Sequence, residues 1–314
     1  MKYISDYKEG DRVTGIYLCK RKQSAVTKNG KPYETIELQD KTGSIDGKIW
    51  DPHSAGIAEY DALDYVEIGG DVTAFNGALQ FNIKRLRVAS EGEYDPADYL
   101  PVSKKDITQM YNELCGIIKS IENTWCRQLL EAFFVEDEEL IKAFKKSSAA
   151  KSVHHSFVGG LLEHTLSVTK LCIYYCGAYP MLKRDLLLTT AMLHDVGKVR
   201  EFSCFPENDY TDEGNLLGHI VMGSEMITQK AEKIDGFPLK LLNEIKHCIL
   251  AHHGELEFGS PKKPAMMEAF ALNLADNTDA KMETFTELLE QTSETGWLGF
   301  NKFLDSNIRP ASLY

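Results

Sequence analysis

Histidine and aspartate residues recur along the second half of the chain, each at or near an apolar stretch. The clearest case is His194 with Asp195, which follows an apolar run from Leu186 and precedes a turn marked by Gly197. Two ionisable groups at the end of a buried helix are costly unless something compensates them, and a metal ion is a common compensation. The pattern therefore predicts a metal site.

Further segments of the same region deliver side chains of the same kinds. The predicted ligands are His164, His194, Asp195, His219, His252, His253 and Asp276. Successive antiparallel helices return side chains to one bundle core, so we expect this set to converge. Imidazoles and carboxylates without thiolates favour manganese, cobalt, iron or nickel over magnesium. The alternatives are a helix-start role for His219, satisfied by a backbone carbonyl, and packing or substrate contact for His253.

A metal site of this kind suits phosphate chemistry. Two cations about 3.5 to 4 Å apart, bridged by a carboxylate, activate water and clamp the oxygens of an in-line displacement. Lys198, one helical turn after the pair, is predicted to neutralise a phosphoryl oxygen, with a solvated lysine as the alternative. His154 and His155 precede the helix of His164 and are predicted to reach a phosphate or ribose, with loop capping as the alternative. The predicted catalytic residues are Asp195, Lys198 and His155.

The spacing of apolar residues divides the chain into two parts. Residues 1–90 follow a period of two and predict the strands Val13–Leu18, Tyr33–Leu38, Ser44–Trp50, Tyr65–Phe75 and Leu79–Val88. With a short helix at Ser54–Tyr60, these strands match a small Greek-key barrel of the OB type. Residues 91–102 contain Pro96, Pro101 and several acidic residues, which predicts a linker.

From residue 103 onward the apolar residues recur at helical spacing, and Ser103 is predicted to cap the first helix. The other predicted helices are Thr124–Phe134, Glu138–Phe144, Gly159–Cys176, Lys183–Leu193, His219–Ile234, Pro238–His252 and Pro264–Thr278. No second strand-rich block follows residue 100, so residues 103–314 are predicted to form an all-helical bundle. The predicted fold class is therefore multidomain, a five-stranded barrel followed by an all-α domain.

A barrel that binds a single nucleic-acid strand needs aromatic faces for the bases and basic edges for the phosphates. The predicted aromatic contacts are Tyr33, Trp50, Phe75 and Phe81. The predicted basic contacts are Lys20, Arg21 and Lys22 in the first long hairpin loop, and Lys84 and Arg85 on the last strand. The alternative is that the aromatic residues fill the barrel and the basic residues only solvate its surface.

The composition, with 43% apolar and 26% charged residues, is that of an ordinary globular protein. The seven cysteines are odd in number and scattered, which argues against a disulfide framework. No apolar run approaches the roughly 20 residues that span a bilayer and the amino terminus is charged, so we expect no membrane association and a cytoplasmic location. The formal charge of −12 disfavours nonspecific polyanion binding but leaves room for a local basic patch.

The ligand pattern resembles the HD superfamily of metal-dependent phosphohydrolases, whose signature is a histidine, a His-Asp pair and a distal aspartate. The resemblance implies that one cation is held by His164, His194, Asp195 and Asp276. It also implies a second cation, bridged by Asp195 and held by His219, His252 and His253.

Across nearly the full chain, a barrel followed by this helical domain resembles the YhaM family of 3′-to-5′ exoribonucleases. The segments His154–Thr165 and Met192–Lys198 carry most of the likeness. The resemblance implies exonucleolytic action on single-stranded RNA, with single-stranded DNA as an alternative substrate, and dependence on two manganese or cobalt ions.

Other functions share part of the pattern. A nucleotide phosphohydrolase or a cyclic-dinucleotide phosphodiesterase would use the same ligands but would not need a strand-binding barrel. A non-catalytic RNA-binding protein would depend on the barrel alone. Near the carboxyl end, Trp297, Phe300 and Phe303 are expected to pack on the bundle or on a second subunit, which would form a homo-oligomer.

Overall fold

The computed structural model describes residues 2–27, 29–75, 77–95, 98–100, 102–151, 155–290, 292 and 294–312. The chain divides into two compact units, Met1–Val102 and Ser103–Tyr314. No helix within the described residues is long and apolar enough to cross a bilayer. His154, one of the histidines singled out above, lies outside the described residues.

The first unit is a closed barrel of the OB type. Its strands are β1 (Arg12–Val26), β2 (Pro32–Asp40), β3 (Gly43–Ile49), β4 (Tyr65–Phe75) and β5 (Ala78–Val88). Their order around the barrel is β1-β2-β3-β5-β4, with β3 and β5 parallel and the other neighbours antiparallel. The five predicted strands are confirmed. They form because alternating apolar residues give each strand a face that packs inside the barrel.

Strand β1 extends further than the sequence predicts. Lys20, Arg21 and Lys22 lie within this strand, so their placement in the first hairpin loop is wrong. Past an irregularity between Cys19 and Arg21, the strand stays in register with β2, and Arg21 lies opposite Glu37. Pairing with β2 satisfies the backbone groups of this segment, which a loop would leave to water.

Phe81 belongs to the core of the barrel. Its side chain is 0% exposed, and its ring packs edge-on against Tyr7 and Tyr17, with centroids 5.2 and 5.6 Å away. A ring enclosed in this way cannot stack on a base, so the prediction that Phe81 contacts nucleic acid is wrong. Phe81 faces inward because it alternates with outward-facing polar neighbours on β5.

The predicted helix at Ser54–Tyr60 does not form. Ile57 makes a parallel bridge with Leu86 of β5. On either side of it, Gly56 accepts a hydrogen bond from the Leu86 amide and Ala58 donates one to the Leu86 carbonyl, both at 2.9 Å. A Cβ on Gly56 would lie 2.8 Å from the carbonyl oxygen of Lys84. Pairing with the edge of β5 therefore replaces helical hydrogen bonds here.

The described part of residues 91–102 packs on the barrel rather than forming a free linker. The Tyr94 ring stacks on Tyr65 with centroids 3.8 Å apart, and Tyr99 is buried. Asp98 accepts a hydrogen bond from Lys41 at 2.9 Å. The prediction of a linker at 91–102 is corrected for this reason: the aromatic residues between its prolines and acidic residues bury their rings on the barrel.

The second unit is helical. Its helices are α1 (Ile107–Lys119), α2 (Thr124–Phe134), α3 (Glu138–Lys146), α4 (Gly160–Ala178), α5 (Arg184–Leu193), α6 (Lys198–Glu201), α7 (Asp212–Ala231), α8 (Leu239–Ala251) and α9 (Met267–Glu290). The first helix is capped by Asp106, whose side chain accepts from the Gln109 amide at 2.8 Å. Ser103, the predicted cap, instead donates its hydroxyl to Glu163 at 2.5 Å.

Two features of this unit depart from the predicted all-helical bundle. A small hairpin near the carboxyl end pairs β6 (Gly299–Asn301) with β7 (Ser306–Ile308). Helix α7 begins before the predicted start at His219 and is interrupted at Gly218, whose φ of 72° and ψ of 155° are not helical. The interruption makes His219 the first residue of a new helical segment.

Candidate functional site

The buried carboxylate of Asp195 lies between two groups of imidazoles. On one side its Oδ2 atom is 3.4 Å from His164 Nε2 and 3.3 Å from His194 Nε2. On the other side its Oδ1 atom is 3.5 Å from His219 Nε2 and 3.7 Å from His252 Nε2. One carboxylate that presents a different oxygen to each group has the geometry of a bridging ligand.

The first group joins α4, the end of α5 and α9. His164 Nε2 is 3.2 Å from His194 Nε2 and 3.2 Å from Asp276 Oδ1. These three side chains can present one ligand atom each within 4.8 Å of one another. The predicted convergence of this group is therefore seen in the geometry, and its use as a metal site stays a prediction.

The second group joins the interruption of α7 to the end of α8. His219, His252 and His253 can also present ligand atoms within 4.8 Å of one another. The rings of His252 and His253 have centroids 4.3 Å apart, and the His219 ring lies 5.3 Å from that of His253. The six other predicted ligands thus lie in two groups of three around Asp195.

Each of these imidazoles is held through its Nδ1 atom. His194, His252 and His253 place Nδ1 at 2.7 to 2.8 Å from the backbone carbonyls of Ala191, Ile249 and Phe258. The other two rings place Nδ1 against carboxylates, His164 at 2.7 Å from Asp279 and His219 at 2.9 Å from Glu201. Because carbonyl and carboxylate oxygens only accept, the hydrogens sit on Nδ1. The Nε2 lone pairs of four of the rings, those of His164, His194, His219 and His252, therefore face Asp195.

The arrangement of lone pairs fits a pair of cations. Asp195 Oδ1, His219 Nε2 and His252 Nε2 are buried atoms with no hydrogen-bond partner among the described residues. Buried polar atoms are nearly always satisfied, so a group of such atoms needs an explanation. A divalent ion is the group that these imidazole lone pairs and the carboxylate would bind at this position.

The protonation states of the carboxylates suit the same function. Burial alone would raise the pKa of Asp195, but Lys198 and His194 hold it well below its ordinary value. Burial likewise acts to raise the pKa of Asp276, and contact with His164 and His194 lowers it. Both groups are therefore carboxylates at neutral pH, the form that binds a metal ion.

Two imidazoles, one from each group, have pKa values that their surroundings shift in opposite directions. Burial, with the neighbouring His253 and His194, lowers the pKa of His252 well below its ordinary value, so this ring is neutral. Burial also acts to lower the pKa of His164, but Asp195, Asp276 and Asp279 raise it well above its ordinary value. A proton on His164 therefore competes with a cation for the same lone pair.

Lys198 is not a solvated lysine. It is nearly buried, and its Nζ atom donates a hydrogen bond to Asp195 Oδ2 at 2.7 Å. Burial alone would lower its pKa, and the Asp195 carboxylate raises it instead, which keeps Lys198 charged. The ammonium has further hydrogens to offer beside the candidate metal centre.

His155 does not lie at an open mouth of the site. Its side chain is 1% exposed, and its Nε2 atom lies 3.1 Å from Asp279 Oδ2. A ring enclosed in this way cannot touch a phosphate or ribose, so the predicted contact with substrate is corrected. The glycine-containing turn before α4 brings His155 inward, behind His164, rather than outward.

Sequence reasoning missed two acidic residues that hold the imidazoles. Asp279 lies three residues after Asp276 on α9, and this spacing places both on one face of the helix, which was an available signal. Glu201 ends the short helix after the His-Asp pair and contacts both His219 Nδ1 and the His219 amide, at 2.9 and 3.0 Å. Nothing in the local sequence distinguishes Glu201 from a surface glutamate.

The turn after Asp195 depends on Gly197. A Cβ added there would lie 2.1 Å from the carbonyl oxygen of His219 and 2.8 Å from the amide of Gly223. Only a residue without a side chain lets the backbone of α7 approach this closely. The glycine therefore brings His219 to the distance at which it faces Asp195.

On the barrel, Tyr33 and Trp50 form an aromatic pair on the outer surface. Their rings are stacked, with centroids 5.5 Å apart and an angle of 28° between the planes. Trp50 is 52% exposed, and Lys48 Nζ lies 5.7 Å from the centre of the Tyr33 ring. Phe75, at the end of β4, is also exposed. These rings can serve as stacking platforms for bases.

The predicted basic contacts differ in how closely their charges are already paired. Lys22 donates to the Tyr60 carbonyl at 2.8 Å, and Lys84 forms an ion pair with Asp71. Arg21 forms a longer ion pair, with its Nε atom 3.8 Å from Glu37 Oε2. Lys20, Arg21 and Arg85 are all exposed on the barrel. These last three side chains are the better candidates for contact with phosphates.

Replacing Trp50 with alanine is expected to weaken the binding of a single-stranded oligonucleotide. Loss of one base stacked on an aromatic ring costs about 1 to 3 kcal/mol, or roughly 5- to 150-fold in affinity. Fluorescence anisotropy at low and high salt measures the change, which is expected to be similar at both because stacking involves no charge. The matched control is Trp297→Ala, another exposed tryptophan outside the barrel; equal affinities of the two variants would exclude the aromatic pair as a platform.

Comparison with known proteins places this geometry in a family context. Residues 161–281 match the family model described as the HD domain. One similar solved structure is the second OB-fold domain of replication protein A from Methanococcus maripaludis, 20% identical, covering 30% of this chain and 98% of that chain with a TM-score of 0.24. Another is the HD domain of the L. monocytogenes phosphodiesterase PgpH, 18% identical, covering 49% of this chain and 82% of that chain with a TM-score of 0.29.

The matched segment contains all seven candidate ligands. It begins in α4, just before His164, and ends in α9, just after Asp279. The chain therefore carries an HD domain after its barrel. The presence of this domain supports the assignment of the protein to the metal-dependent phosphohydrolases.

Proposed function

We propose that this protein is a metal-dependent 3′-to-5′ exonuclease that hydrolyses the phosphodiester bonds of single-stranded RNA, with single-stranded DNA as an alternative substrate. The observation that carries the proposal is the position of Asp195, whose two oxygens face two separate groups of imidazoles. A shared carboxylate between two imidazole groups suits two cations that act on one phosphoryl group.

Two divalent ions bound there would supply an activated water and positive charge toward the phosphoryl oxygens. In this chain, His164, His194 and Asp276 would hold one ion, and His219, His252 and His253 would hold the other. Asp195 would be shared by both. The mixed imidazole and carboxylate ligands favour manganese, cobalt, iron or nickel over magnesium. Manganese is placed first among these because of the resemblance to the YhaM family.

The side chain of Lys198 contributes charge at the same place. Asp195 fixes its ammonium group through one hydrogen bond, and its remaining hydrogens can be donated to a non-bridging phosphoryl oxygen. A preorganised cation of this kind stabilises the charge that develops during displacement at phosphorus. The contribution of His155 is indirect, since its buried ring contacts Asp279 rather than the solvent.

The barrel supports a polymeric substrate rather than a mononucleotide. Its exposed aromatic pair and the exposed side chains of Lys20, Arg21 and Arg85 offer what a flexible strand needs, which is faces for bases and charges for phosphates. A nucleotide phosphohydrolase or a cyclic-dinucleotide phosphodiesterase has no use for such a surface. The 3′-to-5′ direction follows from the resemblance to the YhaM family.

The test is to incubate the manganese-loaded protein with a 5′-labelled single-stranded RNA and to follow the products with time. A ladder of progressively shorter labelled products is the expected result. Immediate release of a labelled mononucleotide would overturn the direction, and an intact bound strand would leave only an RNA-binding protein. A circular RNA of the same sequence is the matched substrate control, because it has no end and is expected to remain intact.

Competing small substrates separate the proposal from its main alternative. If a cyclic dinucleotide or a mononucleotide is hydrolysed while the linear RNA is not, the protein is a nucleotide phosphohydrolase or phosphodiesterase. Asp235→Asn is the control for the same change at Asp195. Asp235 is an exposed aspartate outside the candidate metal centre, so this variant is expected to degrade RNA at the parent rate.

A further inference from the structure

One carboxylate oxygen of Asp279 accepts hydrogen bonds from two imidazoles. Its Oδ2 atom lies 2.7 Å from His164 Nδ1 and 3.1 Å from His155 Nε2. The rings of His155 and His164 have centroids 5.4 Å apart and are tilted by 48°. His155, Asp279 and His164 thus form a chain of hydrogen bonds that ends at a candidate metal ligand.

The backbone before α4 is shaped to bring His155 to this position. His155 has a φ of 57°, a left-handed conformation that residues with a Cβ adopt uncommonly. Its carbonyl accepts a hydrogen bond from the Ala149 amide at 3.0 Å, and a Cβ on Gly160 would lie 2.0 Å from the same oxygen. A non-glycine residue persists in such a conformation when its surroundings fix it, and such residues cluster at functional sites.

We propose that His155 and Asp279 are positioning residues that hold His164 with its hydrogen on Nδ1 and its Nε2 lone pair toward the cation. The proposal rests on the metal site of the proposed function. Asp279 fixes the tautomer and orientation of the His164 ring and increases its basicity as a ligand. His155 orients Asp279 through the second hydrogen bond to the same oxygen.

A third cation is the competing explanation for the same three side chains. Their ligand atoms do lie within 4.8 Å of one another. The 2.7 Å separation of His164 Nδ1 from Asp279 Oδ2 is, however, a normal length for a charge-assisted hydrogen bond. A hydrogen on Nδ1 also leaves that atom without a lone pair for a metal ion.

Glu201 provides an internal comparison on the other side of Asp195. It contacts His219 Nδ1 with both oxygens, at 2.9 and 3.0 Å, whereas Asp279 contacts His164 Nδ1 with one oxygen. The two acids therefore hold one ligand each, in different groups. A change at Asp279 is expected to affect the position of His164, and a change at Glu201 the position of His219.

The experiment is calorimetric titration of the metal-stripped full chain with Mn²⁺ alone, which reports how many ions bind and how tightly. Asp276→Asn and His253→Ala assign the two binding events to the two groups. Asp279→Asn is expected to lower the affinity of the event assigned to His164 by about 10- to 100-fold, because an amide can donate to Nδ1 and favour the wrong tautomer. Glu201→Gln is expected to lower instead the affinity of the binding event assigned to the group of His219.

Two substitutions at His155 separate positioning from packing. His155→Leu removes the donor to Asp279 and is expected to weaken the same event as Asp279→Asn, by at least about threefold. His155→Gln keeps a donor of similar reach and is expected to restore the affinity. The double variant His155→Leu with Asp279→Asn is expected to be no worse than Asp279→Asn alone, since both act through the same ring.

Circular dichroism of each metal-stripped variant establishes that it is folded. Three results would overturn the proposal. The folded His155→Leu variant could keep both Mn²⁺ affinities unchanged, or it could lose the same affinity at both binding events. The folded His155→Gln variant could fail to restore the affinity. A third Mn²⁺ that disappears in His155→Leu would replace it with the third-cation explanation. If the parent chain binds no Mn²⁺, the proposed function itself fails, which is distinguishable from all of these results.

Discussion

Replacing Asp195 with asparagine is expected to lower the rate of RNA degradation by at least about 1,000-fold. Removal of one electrostatic contact to a reacting group commonly costs about 100- to 1,000-fold, and this change removes a ligand that both cations would share. Single-turnover degradation of a 5′-labelled strand measures the rate. Binding of the intact strand by the barrel is expected to persist, because Asp195 lies in the helical unit.

The stability of that variant has to be measured with its activity. Asparagine removes the charge that pairs with the nearly buried Lys198, and an unpaired buried charge destabilises a fold. The double change Asp195→Asn with Lys198→Met removes both charges and is the control for this effect. Degradation within about tenfold of the parent rate in a folded Asp195→Asn protein would rule out the shared-carboxylate mechanism.

Removal of the metal ions is expected to lower the melting temperature as well as abolish turnover. A ligand present at 100 times its dissociation constant stabilises the folded state by about 2.7 kcal/mol. In a domain the size of residues 103–314, this corresponds to a shift of roughly 5 to 10 °C for each ion. Differential scanning calorimetry with chelator and then with excess Mn²⁺ measures the shift.

The shift is also expected to shrink as the pH falls. The raised pKa of His164 means that its proton stabilises the metal-free protein at low pH, and this contribution is lost as the pH rises through that pKa. Metal binding requires the deprotonated ring, so the metal-bound form gains over the metal-free form as the pH rises. A melting temperature that Mn²⁺ leaves unchanged across neutral and alkaline pH would contradict a resident metal centre.

Much of the fold follows from apolar periodicity. The bounds of α2 agree with the prediction at both ends, and the strand bounds of β4 do as well. The caps and turns that end these elements are formed by neighbouring residues, so the local sequence is enough to predict where the elements begin and end. The prediction at Ser54–Tyr60 fails for the opposite reason, since the hydrogen bonds of Ile57 and its neighbours go to a distant strand.

The candidate metal centre was predictable where residue type alone indicates a ligand. Histidines that end apolar helices, such as His194 and His252, have few other uses in a buried position. Glu201, which holds His219, was not predictable, because nothing in the local sequence distinguishes it from a surface glutamate. Its contact with His219 depends on the close approach of α7 to Gly197. The inward position of Phe81 was, in contrast, available from the sequence, because Phe81 alternates with polar neighbours along β5.

The acceptors of the five imidazoles fall into two chemical kinds. The carbonyls of Ala191, Ile249 and Phe258 belong to the backbone and are the same whatever side chain stands at those positions. Asp279 and Glu201 act through their side chains, so a single codon change can alter them. Among the groups that orient the rings, a single substitution can therefore act only at these two acids, one for each half of the candidate metal centre.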